Sequence, residues 1–184
     1  MSSHAPSDRA TRFVEALRRA QNDRGKMAAL KRGLSPATVM DAWPIVAALG
    51  GQIGQPGESV HVDLAAFFAT HPRESNARNF GETCRAIASA DSSDKTIPES
   101  HERRFRRLVA CDQAEDLSGQ LRAWVRLAAS KGVGVNYESL FDDLAWWNSS
   151  ADRIRVRWAR SFWGSSVEGD SAAVRGTTEQ PATP

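Results

Sequence analysis

His101-Glu-Arg-Arg-Phe-Arg-Arg-Leu-Val109 and Asp152-Arg-Ile-Arg-Val-Arg-Trp-Ala-Arg-Ser-Phe-Trp163 decide the fold. Each stretch sets four arginines around one apolar seam. A helix turns by about 100° per residue, so with Phe105 inward, His101, Leu108 and Val109 fall within about 60° of it. Arg103 and Arg107 then point away from the seam, and Arg104 and Arg106 lie on its flanks. In the second stretch Ile154, Trp158 and Phe162 recur at helical spacing, and Arg153, Arg157 and Arg160 form a ridge on the other side.

The same pattern extends outward from these two helices. Between them, 115–131 carries Leu117, Leu121, Trp124, Val125 and Ala128 on one face, with Arg122 and Arg126 beside it and Gly132 at its end. Asn136 caps 137–147, where Leu140, Leu144 and Trp147 face inward, and Ser149 or Ser150 caps 151–163. Upstream, a helix over 79–90 buries Phe80, Cys84 and Ile87, and Pro98 opens 99–111.

Toward the N-terminus, Ser7 caps 8–23, a short helix spans 26–32, and Ser35-Pro36 starts another that Trp43-Pro44 interrupts. Ser59 caps 60–71, which His71-Pro72 closes. Strand signals are nearly absent; Val133-Gly-Val135 is too short. The expected fold is all-α, with eight to nine helices. Residues 165–184 are Gly, Ser, Thr, Pro and Ala with few large apolar groups, and are expected to be a disordered tail.

Composition adds bounds. The chain has 184 residues, 41% apolar and 25% charged, with net charge +2. The tail holds Arg175 against Glu168, Asp170 and Glu179, so the remainder carries +4. Twenty of the 24 basic residues are arginine, which forks onto phosphate, although GC-rich coding enriches arginine too. The two cysteines, Cys84 and Cys111, form no CxxC and read as buried thiols in a reducing cytoplasm. No h-region opens the chain and no apolar run reaches about 20 residues, so neither export nor a membrane span is expected.

Chemistry is missing. His4, His61, His71 and His101 show no metal-ligand spacing with each other or with the cysteines, so no metal or cofactor is expected. His101 sits on the Phe105 stripe and reads as structural. Gly25-Lys26 lacks the glycine and hydroxyl that a phosphate loop needs at positions 20 and 27. Asp142-Asp143 diverge by about 100° and read as a solvated face or as partners for arginine. No catalytic cluster emerges.

The binding candidates are basic. Arg24, Lys26, Lys31 and Arg32 surround the 26–32 helix, whose N-terminus beside Gly25 also favours an anion. Arg103, Arg104, Arg107, Arg122, Arg126, Arg153 and Arg157 complete the set. The alternative is an ordinary solvated surface, with arginines paired to Glu102, Asp142, Asp143 or Asp152. Trp163 or Trp147 could stack on a nucleobase, though core packing is favoured for both.

Five elements together resemble the CasB family, the small subunit of the type I-E CRISPR Cascade complex. They are Arg24-Gly-Lys-Met-Ala-Ala-Leu-Lys-Arg32, Glu102-Arg-Arg-Phe-Arg-Arg-Leu-Val-Ala-Cys-Asp112, Gln120-Leu-Arg-Ala-Trp-Val-Arg-Leu-Ala128, Tyr137–Trp147, and Arg157-Trp-Ala-Arg-Ser-Phe-Trp163. The likeness covers about residues 10–163 and lies in order and spacing rather than in any one motif. Ala123 and Asn148-Ser-Ser150 depart from relatives that carry basic residues there.

The resemblance implies two small helical bundles, 7–75 and 76–164, divided near 72–98. It implies a non-catalytic subunit, two copies head to tail, beside the backbone and large subunits and the guide RNA. It implies contacts to target DNA and the displaced strand through Lys31, Arg32, Arg103, Arg104, Arg107, Arg122, Arg126, Arg153 and Arg157. A protein-docking adaptor and a helix-turn-helix regulator are the rivals. For the regulator, Gly132–Asn136 would be the turn, but the helix after it is acidic (Glu138, Asp142, Asp143).

Overall fold

A computed structural model of the chain describes residues 5–92, 94 and 96–164. Among them nine α-helices follow one another: α1 Asp8–Ala20, α2 Arg24–Arg32, α3 Trp43–Ala48, α4 Glu58–Thr70, α5 Phe80–Ala90, α6 Glu99–Val109, α7 Ala114–Lys131, α8 Tyr137–Ala145 and α9 Trp147–Trp163. The fold is all-α, as the periodicity requires. The expected tail, 165–184, lies outside the described residues.

The helix ends follow from local chemistry. Ser7, Asp23, Asn79 and Asn136 each accept a hydrogen bond from a first-turn backbone N–H of α1, α2, α5 and α8. Gly132 ends α7 at φ 65°, a left-handed position that costs a side chain and favours glycine.

Four boundaries differ from expectation. Asp23 caps α2, so α1 stops at Ala20 instead of running to residue 23. Ser35-Pro36 starts no α-helix; turns and a 3₁₀ segment, Val39–Asp41, lead to α3. Pro44 lies in the first turn of α3, where its missing N–H costs nothing, and so begins a helix rather than breaking one. Gly57, not Ser59, stands at the N-cap of α4.

The apolar faces meet in one connected core. α4 packs on α2, α7 and α8; α5 packs on α7 and α9; α6 packs on α7 and α9; α8 packs on α1 and α9. Every seam residue read from the two arginine helices is buried except Val109, which is partly buried. Phe105 of α6 stacks on Phe162 of α9, centroids 4.0 Å apart and planes 7° from parallel. Trp158 joins Trp147 at 5.3 Å and Phe80 at 5.5 Å. These aromatic pairs fix which faces of α6 and α9 turn to solvent.

The α5–α9 contact is close enough to dictate sequence. A Cβ on Gly81 would overlap the Trp158 backbone carbonyl. Arg85 donates to the Phe162 carbonyl at 2.7 Å and Asn79 donates to Ser161 at 2.9 Å, so the helices cannot slide apart without losing both bonds. Gly81→Ala is therefore expected to destabilise the fold by about 1–3 kcal/mol through overpacking. Urea unfolding reads this as a lower midpoint; an unchanged midpoint would contradict the close approach.

Polar ties hold the surface segments. Arg18 of α1 donates to Glu74 from Nε at 2.8 Å and from Nη2 at 2.7 Å, and to Glu138 of α8 at 2.8 Å. These bonds hold its guanidinium well above the usual arginine range. Glu74 also forms an isolated parallel bridge with Val135, so the Val133–Val135 hint becomes one backbone pairing rather than a strand.

Candidate nucleic-acid interface

The seams leave the basic residues where helical geometry puts them, but acidic neighbours sort them into two groups. On α6, Arg103 is exposed and lies 3.6 Å from Glu99. Arg106 is held by Glu102 at 2.7 Å and covers the Trp163 ring at 5.3 Å. Arg107 is exposed and Arg104 half-buried, and neither has an acidic partner among the described residues. On α7, Arg126 is exposed and likewise unpaired. Arg122 is half-buried and makes no ion pair among the described residues, yet it is close enough to Asp63 of α4 to act on it. Burial raises the Asp63 carboxyl to about 6, against the pull of Ser118 and Arg122.

The α9 ridge is divided. Arg153 and Arg160 are exposed without acidic partners among the described residues. Arg157 instead donates to Asp143 of α8, whose second oxygen accepts the Trp158 indole N–H at 2.6 Å. Asp143 is only 3% exposed. Burial raises its carboxyl to about 6, outweighing the opposing pull of Arg157 and Trp158. Of the two expectations for the Asp142-Asp143 pair, Asp143 is thus a partner for arginine. Asp142 holds the chain's start: Ser7 donates to it from its backbone N–H at 2.8 Å and its hydroxyl at 2.6 Å. Arg155 binds Asp112 at 2.8 Å and Asp152 at 3.0 Å and lies over the Trp147 ring at 5.6 Å.

The α2 cluster is partly neutralised. Lys26 lies 3.3 Å from Asp23 and Arg32 3.0 Å from Asp41, while Lys31 has no acidic partner among the described residues. The helix N-terminus expected to attract an anion is filled by the chain's own Asp23 carboxylate, which accepts the Lys26 N–H at 3.0 Å. That bond, with the Lys26 ammonium nearby, lowers the Asp23 carboxyl below its usual range. The cations of α6 lie on a helix that packs on α7 and α9. Those of α2 sit on a helix packed against α3, α4 and the 3₁₀ turn.

The three described histidines are structural in their contacts, and His4 lies outside the described residues. His61 Nδ1 meets the Gly57 carbonyl at 2.9 Å, His71 Nε2 the Val133 carbonyl at 2.7 Å, and His101 Nε2 the Asp91 carboxylate at 3.1 Å. Among the described residues no three His, Cys, Asp or Glu side chains gather as a metal site, and no helix is long and apolar enough to cross a membrane. α8, the reading helix of the helix-turn-helix alternative, is packed by α1, α4 and α9.

Sequence reasoning passed over two features. Trp147, a stacking candidate, is fully buried, and the solvent-facing tryptophan is its neighbour Trp146, 62% exposed. Spacing alone gave no signal, since adjacent helical residues such as Trp124 and Val125 are both buried here. Arg160, read as part of the ridge but left out of the binding set, is as free of acidic neighbours as Arg153.

The fold and surface define an all-helical protein with unneutralised arginines on the outward sides of three adjoining helices. It belongs to the family described as CRISPR-associated protein Cse2, whose model matches residues 26–163. Cse2 of Thermus thermophilus is 27% identical over 163 residues, covering 85% of this chain and 90% of the relative. The crystal structure of CasB from Thermus thermophilus superposes with a TM-score of 0.67 at 28% identity, covering 84% of this chain and 97% of that one. A chain of a solved CRISPR RNA-guided surveillance complex shares the fold, with a TM-score of 0.65 at 22% identity and coverage of 89% and 95%.

Proposed function

We propose that this chain is the small, non-catalytic subunit of a type I-E CRISPR Cascade surveillance complex. It binds nucleic-acid backbone and so stabilises the opened target DNA and the assembly. Family membership supports the placement, as does the shared fold with a chain of a CRISPR RNA-guided surveillance complex. The observation that carries the binding role is the set of cations without acidic partners among the described residues: Arg104, Arg107, Arg126 and Arg153, with Lys31 on α2; Arg122, beside Asp63, is a further candidate. Lys26, Arg32, Arg103 and Arg157 remain candidates but bring charge already shared with a carboxylate.

Physics suits the role. Exchanging a DNA duplex for a guide–target heteroduplex is nearly balanced, so modest backbone contacts tip it. Holding the displaced strand without reading sequence requires mainly a positive surface. The partners are the guide RNA, the target DNA, the backbone and large subunits, and a second copy placed head to tail.

Filter binding of the purified chain to single-stranded DNA over a salt series tests this. The expected result is affinity that falls steeply with salt, by roughly 0.7 in log–log slope per phosphate neutralised. Co-purification with guide RNA and larger subunits is expected alongside. No detectable strand binding with assembly intact would replace this reading with the protein-docking adaptor.

A further inference from the structure

Trp146 stands apart from the other five tryptophans. Trp124, Trp147 and Trp158 are fully buried, and Trp43 and Trp163 partly so. The Trp163 ring is edged by Phe105 and Phe162 and covered by Arg106. Trp146 has neither an aromatic nor a cationic partner among the described residues, and more than half of it meets solvent. A single exposed apolar side chain is ordinary on a protein surface. What accompanies this one is less so.

Trp146 stands at the head of α9, its carbonyl accepting the N–H groups of Ser149 and Ser150. Ser150 is non-helical, and regular helix resumes after it. Beyond that point Arg153, Val156 and Arg160 are spaced by three and four, so they share one face. Val156 is 51% exposed, and both arginines lack acidic neighbours among the described residues. The nearest exposed acid in sequence, Asp152, is turned to Arg155. At about 1.5 Å per residue, Arg160 lies about 10 Å along the helix axis beyond Arg153.

An open indole followed by spaced, unneutralised guanidiniums matches a single-stranded nucleic acid. Any base can stack its π-face on an aromatic ring while phosphates meet the cations. A duplex keeps its base faces inside the stack. An acidic protein surface would satisfy the arginines but leave the indole face without an apolar counterpart.

We propose that Trp146 is a base-stacking platform, with the strand's phosphates continuing along Arg153 and Arg160. The proposal rests on the nucleic-acid reading above and adds to it, because a surface that holds backbone alone is indifferent to whether bases are present.

The test compares a fluorescently labelled thymidine oligomer of roughly 12 nucleotides, within the span of single-strand sites, with an abasic strand of equal length. Both are titrated against the full chain, Trp146→Ala and Trp146→Phe. Wild type is expected to prefer the thymidine strand by about tenfold, near the low end for one stacked base. Trp146→Ala is expected to lose that preference, binding the abasic strand as wild type does with an unchanged salt slope. Trp146→Phe is expected to regain most of it.

If Trp146→Ala binds the thymidine strand as wild type does, stacking is refuted and the backbone reading survives. If wild type binds neither strand, both readings fall. If Trp146→Ala binds normally but no longer co-purifies with larger subunits, Trp146 is a protein-docking residue and the platform is wrong.

Discussion

Replacing Arg104, Arg107, Arg126 and Arg153 together by alanine is expected to flatten the salt dependence of single-strand binding by about three units of log–log slope. None of the four has an acidic partner among the described residues, so each brings an uncompensated charge to a phosphate. Between 50 and 200 mM salt, wild type is expected to lose about 50-fold more affinity than the quadruple variant. Folding is expected to be nearly intact, because these side chains lie outside the buried seams. Arg103 with Arg157 is the matched control: both already face carboxylates, so their removal is expected to change the slope by less than two unpaired arginines do. Equal slopes for all variants would show that the ridges do not meet the strand.

The second large effect is on stability. Asp143→Ala removes the acceptor shared by Arg157 and the Trp158 indole between α8 and α9. The indole N–H is left buried without a partner, and a cavity opens beside it. The expected cost is about 2–4 kcal/mol, since an orphaned buried donor alone costs about 1–3. Arg157 retains some access to water, which keeps the figure below that of a fully buried broken pair.

Asp143→Asn separates charge from shape. The Asp143 carboxyl titrates near 6 in the fold, above its ordinary 3.8. The folded state therefore holds the proton more tightly than the unfolded chain, and folding takes up a proton between those values. Stability contributed by Asp143 is then greatest below about pH 4 and is lost as pH rises toward 6. Wild type is expected to lose stability relative to Asp143→Asn over that window and to run parallel above it. Urea midpoints at pH 4, 5, 6 and 7 decide this; parallel curves throughout would mean that the carboxyl is not raised.

Much of the fold was legible because it rests on local periodicity. The Phe105 and Trp158 seams, the Gly132 stop and the Asn136 cap depend on residues within a turn or two of each other. The Pro44 reading failed because proline both ends and begins helices, and only the preceding turns show which applies. The candidate site was less legible. Side-chain direction could be read from spacing, but neutralisation depends on contacts between helices. The sequence offered Asp143 as a partner for arginine, but nothing near Arg157 marks it as the one, 14 residues away on α8, whereas Arg153 on the same helix has no acidic partner among the described residues. Asp23, by contrast, fills the α2 terminus offered to an anion by a short-range cap that the basic composition obscured.

The 72–78 stretch opens the division expected between the two bundles, a natural place for a swivel. The structure puts a rivet through it: one guanidinium, Arg18, grips Glu74 within that stretch and Glu138 on α8, and Val135 pairs with the same backbone. Bending at the stretch would shear all of these at once. Motion imposed on this chain is therefore expected to carry α1, this stretch and α8 together, with the strain falling on joints to its neighbours.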